Sequence, residues 1–160
     1  MSAAERYTLE EAQIEFAKRT NGQVWKLLEK TSRTPAEEEE MECAAFASLY
    51  HWLQAGTQVH HQRGEWLIAH VYTILGETES ALKFANRCLE LTEAYQNQME
   101  DFDIAYAYEG MARANALSGN IEAAEKFLGL AESAGEEISD AESKKIFMGD
   151  LNSGPWHGIN

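Results

Sequence analysis

Apolar residues recur along this chain at spacings of three and four, the period of an amphipathic helix, and the breaks between these runs are few. They predict seven helices, at about residues 8–31, 35–56, 60–75, 77–97, 101–118, 120–137 and 140–152. Thr8-Leu-Glu-Glu11 and Ser139-Asp-Ala-Glu142 fit the capping box, in which a hydroxyl and a carboxylate satisfy each other's free backbone donors. Thr34-Pro35-Ala36-Glu37 adds proline at the first helical position, where its missing N–H does no harm. Gly56, Gly76 and Gly119 mark helix ends. Valine and isoleucine are few and alanine, glutamate and leucine dominate, so the expected class is all-α with essentially no sheet. No linker divides the chain, which reads as one domain at residues 1–160. The tail "SGPWHGIN" is expected to be extended, with Trp156 either docked or disordered.

From Trp66 to Gly76 the one ionisable residue is His70, so this helix is apolar nearly all round and must be central. It also belongs to an internal repeat. Shifting the chain by 43 residues places Gly76 on Gly119, Ala69 on Ala112, Ala81 on Ala124 and Phe84 on Phe127. Ile68 with Met111 and Cys88 with Ala131 are conservative partners at the same offsets. Small residues here let antiparallel helices approach closely, and the glycine releases the tight turn between them.

With these residues the chain resembles the tetratricopeptide repeat, whose paired helices carry small residues at this spacing, a glycine in the turn and an aromatic one turn before it. Tyr72 supplies that aromatic in the first unit, and Tyr108 supplies the opening aromatic of the second. Asn115 stands in place of the second turn-proximal aromatic, no proline closes either unit, and the period is longer than the usual one of about 34. Through "ASLYHW", "RGEWLI" and "DFDIAYAYEGMARA" the chain is also similar to a group of small bacterial proteins of this repeat class. The resemblance implies antiparallel pairs stacked as a short right-handed superhelix, with units at about 62–97 and 105–137. A diverged pair at 8–56 would precede them and a capping helix at 140–152 would follow. It further implies that the first helix of each pair lines a concave groove. On residues 62–75 the groove stripe is Arg63, Trp66, His70 and Thr73; on 105–118 it is Tyr106, Glu109 and Arg113. Asn21, Trp25 and His51 would extend it.

Charge narrows the partners. Thirteen Lys plus Arg against 27 Asp plus Glu give a formal charge of -14, which repels nucleic acid and anionic membranes over most of the surface. The N-terminus lacks the apolar core of a secretion signal, and the longest apolar run is too short to span a bilayer, so a cytoplasmic protein is expected. Cys43 and Cys88 lack CxxC spacing and read as small, buried, reduced side chains. The acidic run Glu37 to Glu40 could be a cation site, but on a helix N-terminus it reads better as a solvated first turn favoured by the dipole.

The stretch from Tyr50 to Tyr72 holds four of the five histidines and raises the question of catalysis or metal. At 100° per residue His70 lies about 180° from His61 and about 20° from Arg63, so the histidines diverge. No HxxxH or HExxH places two ligands on one face, and no metal or other cofactor is expected. No phosphate loop or serine elbow occurs, and Cys43 follows a run of glutamates, not the electropositive setting that a nucleophilic thiol requires. The leading expectation is therefore a non-catalytic module that binds a protein or peptide segment, with Arg63 and Arg113 clamping carboxylates, Trp66 and Tyr106 packing, and a homodimer allowed. The alternative is a small-molecule-binding or metal-assisted enzyme using the His/Glu/Trp cluster of residues 51–70, chiefly His51, His61, Glu65 and His70. A competing structural reading ties Arg113 internally to Glu109.

Overall fold

Residue 4 and residues 6–159 are described by a computed structural model, and among them there are seven α-helices and no strand. These are α1 (Leu9–Leu28), α2 (Pro35–Ala55), α3 (Gln58–Leu75), α4 (Thr78–Ala94), α5 (Asp101–Ser118), α6 (Ile121–Glu136) and α7 (Ala141–Leu151), with a short 3-10 turn at Gln96–Gln98. Thr8 and Thr34 form the expected capping boxes with Glu11 and Glu37. Helix α3 begins at Gln58 and α4 ends at Ala94, against about 60 and 97 expected, and two further departures have local reasons. Helix α1 stops three residues early because Arg33 reaches back to the carbonyls of Leu27 and Lys30, both at 3.1 Å, and satisfies the last turn from outside. At α7 the cap is Asp140, which accepts from the Ser143 N–H at 2.8 Å; Ser139 instead bonds Asp101 through its N–H and hydroxyl, both at 2.9 Å.

The helices pack in adjacent pairs, α1 with α2, α3 with α4 and α5 with α6, and each pair leans on the next through α2–α3 and α4–α5. Helix α7 closes the end against α5 and α6. Helix α3 touches α2, α4 and α5, which is why Leu67, Ile68, Ala69 and Val71 are all buried. The main core joins these to Val24, Met41, Leu49, Phe84 and Met111, and a second one gathers Ala105, Ala131, Phe147 and Leu151 under α7.

The two turns 43 residues apart have the same geometry. Gly76 and Gly119 adopt left-handed φ values of 77° and 80°. In each, the glycine N–H returns to the carbonyl three residues back, and the following N–H returns five back, Glu77 to Tyr72 at 2.9 Å and Asn120 to Asn115 at 3.0 Å. Cys88 is buried, and burial pushes its thiol pKa up; Cys43 is exposed, contrary to the expectation of two buried thiols. No helix among the described residues is long and apolar enough to cross a membrane.

Ala81 and Ala124, equivalent under the 43-residue shift, both have 0% exposure. Ala81→Leu and Ala124→Leu should each cost about 1–3 kcal/mol by driving close-packed helices apart. Chemical denaturation checks this, and an unchanged midpoint for both would remove the close-packing argument.

Candidate binding cleft

Two adjoining clefts of about 450 Å³ and 170 Å³ share Trp25, Trp66, Tyr106 and Asp150 in their walls. The larger is lined from odd-numbered helices alone: Asn21 and Trp25 on α1, Gln62, Arg63, Trp66 and Leu67 on α3, Phe102, Asp103 and Tyr106 on α5, and Ile146 and Asp150 on α7. The smaller adds His70, Glu109 and Arg113 and reaches the tail at Ser153 and Gly154. The shift of 43 explains the assembly, because positions 66 and 109 are equivalent in the repeat and face each other across α3 and α5. There the Trp66 indole N–H donates to Glu109 Oε2 at 2.9 Å.

The aromatic wall is continuous. Trp25 stacks on Trp66 with ring centres 6.2 Å apart, Trp66 stacks on His70 at 5.0 Å, and Tyr106 meets the edge of Trp66 at 5.3 Å. Trp25 remains 40% exposed. His70 makes no hydrogen bond within the described residues, and burial with the nearby Arg113 charge pushes its pKa down to about 4, so it is neutral at neutral pH.

Both arginines are already partnered. Arg63 forks onto Asp103, Nε to Oδ1 at 2.7 Å and Nη2 to Oδ2 at 3.0 Å, while its guanidinium lies 5.1 Å from the Phe102 ring. Arg113 Nε donates to Glu109 Oε1 in a pair that is buried on both sides. Its Nη2 donates to the carbonyls of Asp150 and Ser153 at 2.8 and 3.0 Å, and Nη1 to that of Pro155 at 3.3 Å. Trp156 docks beneath, with its ring centre 4.1 Å from the guanidinium and its N–H on the Leu151 carbonyl at 3.0 Å. The picture of Arg63 and Arg113 as carboxylate clamps for a partner is thereby corrected: Asp103 and Glu109 occupy them, and the competing internal pairing of Arg113 is the one present. Burial pushes the Glu109 carboxyl up, opposed by Arg113 and the Trp66 N–H. A donor on each oxygen favours its ionised form.

Thr73 and His51 fall outside. Thr73 is buried with its hydroxyl on the Ala69 carbonyl at 2.8 Å, a bond within its own helix. His51 is held between α1 and α2 by Gln13 at 2.5 Å and by the Phe16 ring at 5.5 Å. The rival cluster is likewise dispersed. His60 stacks on Trp52 at 4.0 Å. His61 pairs with Glu65 at 3.2 Å on the α4 side, where Arg87 also reaches Glu65 Oε1 at 3.2 Å and Oε2 has no hydrogen-bond partner among the described residues. Burial pushes the Glu65 pKa up, against the pull of Arg87 and His61. Among the described residues no group of three His, Cys, Asp or Glu side chains is placed to hold a metal ion.

Sequence reasoning missed Gln62, Phe102, Asp103, Ile146 and Asp150. Gln62 is buried and gives both amide protons away, to the Thr92 hydroxyl and the Asp103 carbonyl, each at 3.0 Å. Asp103 Oδ2 also accepts the Glu100 N–H at 3.0 Å and so caps α5. Its place in the first turn of a helix, facing an arginine one repeat back, was a readable signal for the Arg63 pair. Asp150 accepts the Tyr106 hydroxyl at 2.5 Å, which with burial raises the phenol pKa. Comparison with protein-family models, with curated proteins and with solved structures finds no match.

Arg113→Ala leaves Glu109 charged and buried and cuts the tail loose, so it should destabilise the fold by about 3–5 kcal/mol. Urea denaturation tests it, and a loss below the scatter of surface substitutions would show that the pair carries little. His70 adds a pH dependence. Its folded pKa lies below the ordinary 6.5, so its contribution to stability is intact above about pH 6.5 and is lost as pH falls toward about 4. His70→Phe keeps the stacking and should flatten the fall in stability between pH 7 and 4.5 by roughly 2–3 kcal/mol, read as the difference between two denaturation series.

Proposed function

We propose that the protein is a non-catalytic helical-repeat module, tetratricopeptide-like in build and cytoplasmic, that binds a segment of another protein in the cleft between the odd-numbered helices. The observation that carries this reading is the lining: exposed and half-buried aromatics from α1, α3 and α5 form one open surface. Its ionic groups are mostly spent on one another. Open aromatic surface held rigid from below is the arrangement of interface hot spots. Proton transfer is poorly served there, since His70 stays neutral and the Tyr106 phenol is pushed further from ionisation.

Two groups remain to grip a peptide backbone. Asn21 makes no hydrogen bond within the described residues, and Arg63 commits Nε and Nη2 but not Nη1. An amide and a guanidinium N–H suit the alternating donors and acceptors of an extended main chain. With both arginines paired, the argument for a carboxylate-bearing partner is gone.

Selection of a random peptide library on the immobilised protein, followed by titration of the recovered peptides, tests the reading. Trp25→Ala should weaken binding at least about tenfold while the melt stays cooperative, because Trp25 is a partly exposed anchor. Peptides that bind wild type and Trp25→Ala equally would place recognition elsewhere.

A further inference from the structure

The charge ledger of the cleft does not close. Arg63 offsets Asp103 and Arg113 offsets Glu109, but the third carboxylate, Asp150, has no guanidinium or ammonium within ion-pair distance among the described residues. Its one side-chain hydrogen bond is to the Tyr106 hydroxyl, which is neutral. His70 cannot compensate, being neutral itself. The cleft therefore carries a net charge of about one negative unit, set beside the faces and edges of Trp66 and Tyr106 and within a protein of formal charge -14.

Resting on the reading of the cleft as a peptide-binding site, we infer that its occupant presents a lysine or arginine side chain to Asp150, with an adjoining apolar residue on the Trp25–Trp66 wall. Three observations converge. Asp150 belongs to both clefts, so a cation there would sit where they meet. Trp66 and Tyr106 border the same space and would attract the cation through their ring electrons. The Tyr106 hydroxyl already points its hydrogen at one oxygen of Asp150, so the carboxylate is oriented before a ligand arrives. An acidic peptide would meet the opposite conditions: a like charge at Asp150, no free cation except one N–H of Arg63, and a repulsive field around the whole molecule.

Asp150→Asn is the informative substitution, since the amide keeps an acceptor for Tyr106 and removes the charge. Its control is Glu122→Gln on the exposed start of α6, which removes the same single negative charge outside the lining of either cleft. The probes are the library-selected peptides, each paired with a version in which Lys or Arg is replaced by Gln, titrated at physiological salt. The expected result is that wild type selects Lys or Arg beside an apolar residue. The replacement to Gln should weaken binding about tenfold or more on wild type and Glu122→Gln, and barely at all on Asp150→Asn. Selection of Asp or Glu, or a loss on replacement that is the same for Asp150→Asn and Glu122→Gln, would overturn the cation assignment. Trp25→Ala separates the two levels. Binding that needs Trp25 but ignores Asp150 keeps the cleft and removes the cation; binding that needs neither removes both.

Discussion

The buried pair of Glu109 and Arg113 is the interaction around which the cleft between the odd-numbered helices is built. Two charges within a helical core are tolerated when each polar atom finds a partner, and here they do. One carboxylate oxygen takes the guanidinium Nε–H, the other takes the Trp66 indole N–H, and Nη1 and Nη2 donate to three carbonyls at the end of α7 and in the tail. Through Glu109 the pair fixes a ring on α3, and through Arg113 it holds the end of α7 and seats Trp156. Of the α7 carbonyls Arg113 reaches that of Asp150, which also accepts the Ser153 N–H at 3.1 Å and the Ser153 hydroxyl at 2.8 Å, and the cation there faces the negative end of the helix dipole.

A second, more exposed pair does similar work nearly two turns earlier on α5. Asp103 caps α5, accepts the Arg63 fork and offers its carbonyl to Gln62, which in turn reaches Thr92 on α4. Three helices are pinned at one point. The consequence for recognition is direct: charges that look available along a helix stripe are consumed in holding the helices, and the surface left over is aromatic, with Asp150 at its edge.

That distinction marks how far the sequence could be read. Period, caps and the shift of 43 residues are local or self-comparing signals, and they located the seven helices and brought Asn21, Trp25, Arg63, Trp66, His70, Tyr106, Glu109 and Arg113 to one region. The partners of those residues were harder to see. Asp103 and Asp150 lie outside the repeat stripes, and Asp150 comes from a capping helix with no counterpart in the repeat, so no periodicity points to it. Thr73 was placed by phase alone, which ignores the tendency of a buried hydroxyl to bond its own helix four residues back. His51 has the right neighbours in sequence but sits at the seam of the first pair, where Gln13 claims it. Cys43 was judged by residue type, and its exposure reflects the outward side of α2.

The walls of the cleft are not held with equal force, and this shapes what it can accommodate. Helices α3, α5 and α7 are locked by ion pairs and by hydrogen bonds to backbone. Helix α1 is tied instead to α2, through the Ser48 hydroxyl on the Ala17 carbonyl at 2.9 Å and Gln23 on Glu40 at 2.9 Å. Its hold on the cleft is the stacking of Trp25 on Trp66 and His70. Beneath that stacking the first pair is held by the main core, where Val24, Met41 and Leu49 pack with Leu67 and Ile68. Helix α1 thus meets the cleft through apolar surface, whereas α3, α5 and α7 meet it through directional bonds. A polar anchor at Asp150 and Tyr106 would demand one geometry of a ligand, and an aromatic wall at Trp25 would accept several side chains.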